Sequence, residues 1–249
     1  MRSNVLGCHI DIMDMSEVLD RVEAFIIEGG SHQHVVVNVD KLVKAHRDPN
    51  LKNIINQCDL VNADGMPVVW ASRLLGDGLK ERIAGIDLFI KLVERAEGKG
   101  WRVYFLGAKD AVVSKIVSLL KEKHPSLNIA GYRNGYWTKE EESNVVKTIK
   151  SAKPDILFVA MSSPQKEEFL GAYLKDMQVP FAMGVGGSFD VVAGIVKRAP
   201  VWMQRTGLEW FYRFLQEPRR MFKRYFIDDT YFIVLLVKEL IGRWAAHLK

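Results

Sequence analysis

From residue 34 onward the chain alternates short, continuous apolar runs with segments of helical period, and few folds accept that pattern. HVVVNV (34–39), CDLVNA (58–63), WRVYFLG (101–107), LNIAG (127–131), PDILFVA (154–160) and VPFAMGVG (179–186) read as strands, most of them rich in β-branched residues. Helical patterns fill 40–57, 65–75, 86–98, 109–123, 138–151 and 165–176. Runs without polar alternation mark strands covered on both faces, as a mostly parallel sheet requires. The expected fold class is α/β, a Rossmann-like sheet flanked by helices.

Composition agrees with a globular domain. Of 249 residues, 48% are hydrophobic and 26% charged, which excludes collagen-like, disordered and disulfide-scaffold classes. The longest stretch without Asp, Glu, Lys or Arg is 177–189, too short for the ~18 apolar residues of a spanning helix. Asp11 and Asp14 interrupt any apolar core of a secretory leader, so the expected location is cytoplasmic. Cys8 and Cys58 form no C-x-x-C and read as buried thiols; His32, His34 and His46 form no H-x-x-x-H pair. No metal site is expected.

Charge is concentrated near the C-terminus. Residues 196–224 hold eight basic side chains against Glu209 and Glu217, a net +6 in a chain whose total is +5. Ten of the 25 aromatic residues lie between 196 and 232. Basic residues interleaved with aromatics suit an anionic membrane surface or a phosphate-bearing partner. The expected division is a core over 1–195 and a helical appendage over 196–249. Leu208, Phe211, Tyr212 and Leu215 share one helical face, and Pro218 is expected to end one helix and open the next.

Parallel α/β sheets bind ligands beyond the carboxyl ends of their strands. Asn38, Asp64, Gly107 and the glycines Gly184, Gly186 and Gly187 of GVGGSFD occupy such places. Glycines there let backbone N–H groups approach a phosphate, although tight strand-to-helix packing would require them too. Asp64 precedes a helical pattern and reads either as a general base or as an N-cap. GVGGSFD is not the dinucleotide fingerprint, because Phe189 stands where the last glycine belongs. Asp-x-Asp is absent, which argues against a metal-bound nucleotide-sugar mechanism.

NADGMPVVW, KERIAGIDLF, VYFLGAKD, NGYW, PDILFVAMSSPQKE and the long block GVGGSFDVVAGIVKRAPVWMQRTGLEWFYRFLQEPRRMFKRY together resemble the WecG/TagA/CpsF glycosyltransferases, family 26, across roughly residues 34 to 225. The resemblance implies a GT-E-type fold and an inverting, metal-independent hexosyltransferase of cell-surface polysaccharide synthesis. Its donor would be a UDP-sugar and its acceptor a polyprenyl-diphosphate-linked sugar, with the appendage docked on the inner membrane face. No cofactor is implied, since the UDP-sugar is a substrate. Carried over by position, Asp64 matches the general base, with Asn38 and Arg82 beside it. Gly107, Tyr136, Gly186, Gly187 and Asp190 match the donor side, where Gly184 and Lys166 are also expected. Arg213, Arg219, Arg220 and Arg224 match the acceptor diphosphate and membrane side. Nucleic acid is not among the expected partners, and the other uses open to the tail are an ordinary amphipathic helix covering the core or a homo-oligomeric contact.

Two positions depart from the family pattern. Val36 stands where many members have Thr, and Lys166 where members commonly have Gln. Both bear on the donor sugar. The competing readings are a membrane-associated nucleotide-binding module without catalysis and a Rossmann oxidoreductase, the latter lacking its glycine fingerprint and the acid that follows it.

Overall fold

In the computed structural model of the chain, residues 1–222 and 229–247 are described. The fold opens with an antiparallel hairpin, β1 (Arg2–Val5) and β2 (Cys8–Asp11), closed by Leu6 and Gly7 at φ 52° and 81°. Helix α1 (Met15–Glu28) follows, with Asp14 and Glu17 forming a reciprocal capping box. The main body then runs β3 (His32–Val37), α2 (Val39–Arg47), α3 (Pro49–Gln57), β4 (Leu60–Ala63), α4 (Met66–Leu74), α5 (Gly85–Lys99) and β5 (Arg102–Gly107). It continues with α6 (Asp110–Lys123), β6 (Asn128–Arg133), α7 (Glu142–Ala152), β7 (Ile156–Ala160), α8 (Gln165–Met177), β8 (Phe181–Gly184) and α9 (Ser188–Val192). Last come α10 (Val201–Arg205), α11 (Glu209–Gln216), α12 (Pro218–Phe222) and α13 (Asp229–His247).

All six strands expected from sequence form one parallel sheet in the order β4-β3-β8-β7-β5-β6. Side chains alternate between its faces, as the pleat requires. Val103, Phe105, Ile156, Phe158, Phe181 and Met183 pack toward α1, α5 and α6, whereas Tyr104, Leu106, Leu157, Val159 and Ala182 pack toward α7 and α8. Val35, Val37, Val61 and Ala63 join the hairpin, α2, α3 and α4. Both faces are thus covered, which explains why the strands read as unbroken apolar runs.

Two expectations need correction. The helical pattern over 40–57 is two helices, because Pro49 has no N–H to continue α2 and Asp48 instead caps α3 through the amides of Asn50 and Leu51. Regular structure also begins well before residue 34, with the hairpin and α1. Near the C-terminus, Pro218 opens α12 with only Glu217 between it and the end of α11, as the sequence indicated.

Helix α13 packs on the hairpin side. Phe232 and Leu235 are buried among the residues of α2 and α4. Glu239 accepts from the amide of Leu6 at 2.9 Å, and Arg243 donates to the carbonyls of Asn4 and Leu75, both at 2.8 Å. The same helix leaves Ile233, Val234, Val237, Ile241 and Trp244 exposed. Among the described residues, no helix is long and apolar enough to cross a membrane.

Candidate active site

Strand order fixes where a ligand can enter. From β5 the chain crosses through α6 to β6, while from β7 it crosses through α8 to β8 on the opposite side. The connections diverge at the carboxyl ends of β5 and β7 and leave a crevice there. Gly107 ends β5 with φ 114°, so close to β7 that a Cβ would stand 2.5 Å from the Ala160 carbonyl oxygen. Gly135 lies against it in turn, its own Cβ position 2.9 Å from the Gly107 Cα. These two glycines are required by backbone packing, and that packing forms the crevice floor. Tyr136 is exposed at its rim, with its amide held by Asn134 Oδ1 at 3.0 Å.

Beside the crevice, β8 runs into the turn Val185-Gly186-Gly187. Gly186 adopts φ 52°, and an added Cβ there would meet nothing within 4 Å. Space above that turn is open to a ligand. A Cβ on Gly187 would lie 3.1 Å from Arg213 Nη2 and 3.9 Å from Asp190 Oδ2. Arg213, expected on the acceptor side, therefore reaches over the glycine turn, where its Nε is buried without a hydrogen-bond partner. Arg219 is exposed on α12. The Arg220 side chain and Arg224 lie outside the described residues.

A second group gathers at the ends of β3 and β4. The Asp64 amide donates to Val37 O at 2.8 Å, and the Ile83 amide donates to Ala63 O at 2.8 Å, which brings the loop carrying Arg82 alongside β4. A Cβ on Gly85 would come within 3.4 Å of Val36 Cγ2 and 3.9 Å of Asp64 Oδ2. Val36, Asp64 and Gly85 thus share one half-open corner. Gly65, not Asp64, occupies the N-cap of α4 and makes no side-chain cap. Asn38 does cap its helix: Oδ1 accepts from the Lys41 amide at 3.0 Å, leaving the amide nitrogen as what it can offer a substrate.

Lys166 differs from its expected setting. It is buried in an ion cluster in which Glu167 Oε1 takes both Lys41 Nζ at 2.6 Å and Lys166 Nζ at 3.0 Å. Burial, reinforced by Lys41, pushes Lys166 down to about 8. Burial alone would raise Glu167, but the two ammonium groups outweigh it and hold its carboxyl below the usual range. Gly184 belongs to this cluster rather than to the open turn, since a Cβ there would lie 3.0 Å from the Lys166 side chain. Nearby, His34 Nε2 meets Asn62 Oδ1 at 3.0 Å, and burial pushes His34 down to about 4, so it is neutral. Burial also pushes Cys8 up to about 11 and Cys58 to about 12, which removes both as nucleophiles.

The sequence did not single out Glu209, Arg198 or Asp87. Arg82 Nη1 donates to Glu209 Oε2 at 2.9 Å; Arg198 forks onto both oxygens of Asp87 at 2.6 and 2.7 Å, and its Nε stands 3.6 Å from Glu209 Oε1. These partners come from α5, the segment after α9 and α11, so no local spacing connects them. Two cavities of about 560 and 470 Å³, bordered by Gly30, Pro180, Gln33 and Asp59, open at the opposite, amino-terminal edges of β3 and β8 and contain none of these groups.

Residues 3–246 match the family described as Glycosyl transferase WecG/TagA/CpsF. A protein of Bacillus subtilis (strain 168) named N-acetylglucosaminyldiphosphoundecaprenol N-acetyl-beta-D-mannosaminyltransferase is 38% identical over 203 residues, covering 82% of this chain and 78% of its own. Proteins of the same name are 39% identical over 186 residues in Bacillus spizizenii, covering 75% of this chain and 72% of their counterpart, and 32% over 220 residues in Staphylococcus aureus (strain MW2), covering 88% and 86%. With a parallel sheet, a crevice at its switch point and a match that spans nearly every element, the chain belongs to the WecG/TagA/CpsF family of glycosyl transferases.

Proposed function

We propose that the protein transfers a hexosamine from a UDP-sugar to a polyprenyl-diphosphate-linked N-acetylglucosamine, with inversion and without a metal. The observation that carries this reading is the corner at the ends of β3 and β4, where the Asp64 carboxylate stands beside Val36 and Gly85 in a chain of this family. The relatives' names supply the acceptor and point to N-acetylmannosamine as the first donor to examine.

Asp64 is the base in this proposal. A carboxylate within hydrogen-bond reach of the acceptor hydroxyl takes its proton as the oxygen attacks the anomeric carbon, and UDP departs from the opposite face. The departing diphosphate gathers negative charge, which fixed donors stabilise. The amides of the Gly186-Gly187 turn and the guanidiniums of Arg213 and Arg82 are the donors assigned to it. Exposed Trp202, Trp210, Phe211 and Leu215 on α10 and α11, together with the outer face of α13, form an apolar surface suited to a bilayer holding the lipid acceptor.

The test is a screen of UDP-hexosamines against a short-chain polyprenyl-diphosphate N-acetylglucosamine, reading UDP release and product mass. Turnover with one donor, reduced about 10²- to 10⁴-fold by Asp64→Asn with unchanged melting, is the expected result. Wild-type-like turnover by Asp64→Asn removes it as the base. No turnover with any donor overturns the transferase reading.

A further inference from the structure

The ion network that ties α11 to the core ends on Arg82. Glu209, the first residue of α11, accepts from Arg82 Nη1 and, among the described residues, is the partner of that guanidinium. Its other oxygen faces Arg198, which is itself fixed by the two-point contact with Asp87 in the first turn of α5. That helix begins with Gly85, which abuts Asp64 and Val36. The loop carrying Arg82 is pinned at Ile83 to Ala63, the residue before Asp64. The links therefore close a ring around the candidate base: β4 to Arg82, Glu209, Arg198, Asp87 and back through Gly85.

Two arginines face two carboxylates in this ring, so its charge is balanced and it recruits no anion on that account. Its geometry has another consequence. One nitrogen of the Arg82 fork is held by Glu209, while Nε and Nη2 make no other hydrogen bond among the described residues. A guanidinium clamped at one nitrogen presents its remaining N–H groups in a defined direction, which suits a phosphate or carboxylate ligand. The Arg82 and Glu209 side chains are 16% and 30% exposed, sheltered enough for the clamp to hold more firmly than an open surface pair.

We propose that Glu209 is a positioning residue: it orients Arg82 toward the substrate diphosphate and makes that orientation depend on α11 being seated on the core. This rests on the transferase reading above. Arg213 lies one helical turn after Glu209, so the contact that aims Arg82 also brings Arg213 over Gly187. Seating of the tail helix and assembly of the cationic site are then one event.

Glu209→Gln tests this on the full-length protein, because the amide keeps the shape and loses the charge. The expected result is about a tenfold fall in kcat with donor KM within about twofold and an unchanged melting midpoint. In an Arg82→Ala background, Glu209→Gln adds nothing further, because the two act as a unit. Nitrogen-15 relaxation of the Arg82 Nε–H group supplies a readout without turnover: ordered in the wild type, mobile in Glu209→Gln. Unchanged or increased kcat, an equal loss in the Arg82→Ala background, or a loss that tracks melting overturns the proposal. If the wild type transfers no sugar, the transferase reading fails by itself. Relaxation then still decides the clamp, and an Arg82 side chain equally ordered without Glu209 overturns it.

Discussion

Lys166 carries the clearest cost in the molecule. It is 6% exposed and shares one carboxylate, Glu167, with Lys41, so the cluster buries one more cation than anion. Ammonium groups out of water are stabilised only as far as their partners reach, and the single Glu167 carboxylate is divided between two of them. Because the folded-state pKa is depressed to about 8, the unfolded chain binds more protons between about 8 and 10.5. The penalty is therefore fully present below pH 8 and is relieved as pH rises through that window. Its size is about 3 kcal/mol as an upper bound. Replacing Lys166 with Gln leaves Glu167 paired to Lys41 and removes the surplus charge. Lys166→Gln is expected to be more stable than the wild type at pH 7 by about 1–3 kcal/mol, an advantage that shrinks toward pH 10.5. Urea unfolding of the two proteins at matched pH values measures it.

At the scale of elements, the glycines after β5 and β8 look alike in sequence and differ in what they do. Gly107 is closed in by the backbone of Ala160, at a φ that L residues rarely adopt, so a methyl group has nowhere to go. Gly107→Ala is expected to destabilise the fold by about 3 kcal/mol or more, through overlap and left-handed backbone strain together. Gly186 shares the unfavourable φ but faces open space. Gly186→Ala should cost only about 1–2 kcal/mol of stability while weakening UDP binding, because the methyl group would enter the open space proposed for the donor diphosphate. Thermal melting paired with UDP titration separates the two roles. An equal melting loss in both variants would return Gly186 to a packing role.

Across the whole molecule, α13 has two faces in different surroundings. Phe232, Leu235, Glu239 and Arg243 fasten it to the hairpin, α2 and α4, so deleting the C-terminal segment strips the core as well as any membrane contact. Exposed Ile233, Val237, Ile241 and Trp244 recur at intervals of three and four and make a stripe that nothing in the described chain covers. Ile233→Ser, Ile241→Ser and Trp244→Ser together are expected to reduce liposome association by more than about tenfold with little change in melting. Phe232→Ala, on the inner face, should instead cost about 3–5 kcal/mol of stability. Sedimentation with anionic vesicles, alongside melting curves, checks both; unchanged vesicle binding by the triple variant would leave α13 without a membrane role.

The amino-acid sequence by itself determined the six strands, the parallel sheet and most of its helices, because burial on both faces leaves a period that needs no knowledge of neighbours. It also carried the long motif blocks that mark the family. The hairpin leaves little trace in the sequence because its strands are four residues long and its turn is Leu6-Gly7, where Leu gives no turn signal of its own. The break at Pro49 was written in the Asp-Pro pair, but the helical period on either side concealed it. Asp64 and the glycine turn were visible as residues after strands. What each glycine is for was decided by the opposing chain: Gly107 by Ala160, Gly184 by Lys166, Gly187 by Arg213. The same holds for the charges, since Glu209 finds Arg82 across 127 positions and Glu167 finds Lys41 across 126. Periodicity records how a residue meets solvent or core. Which ion meets which is set by strand order and helix seating, and those exist only in the folded molecule.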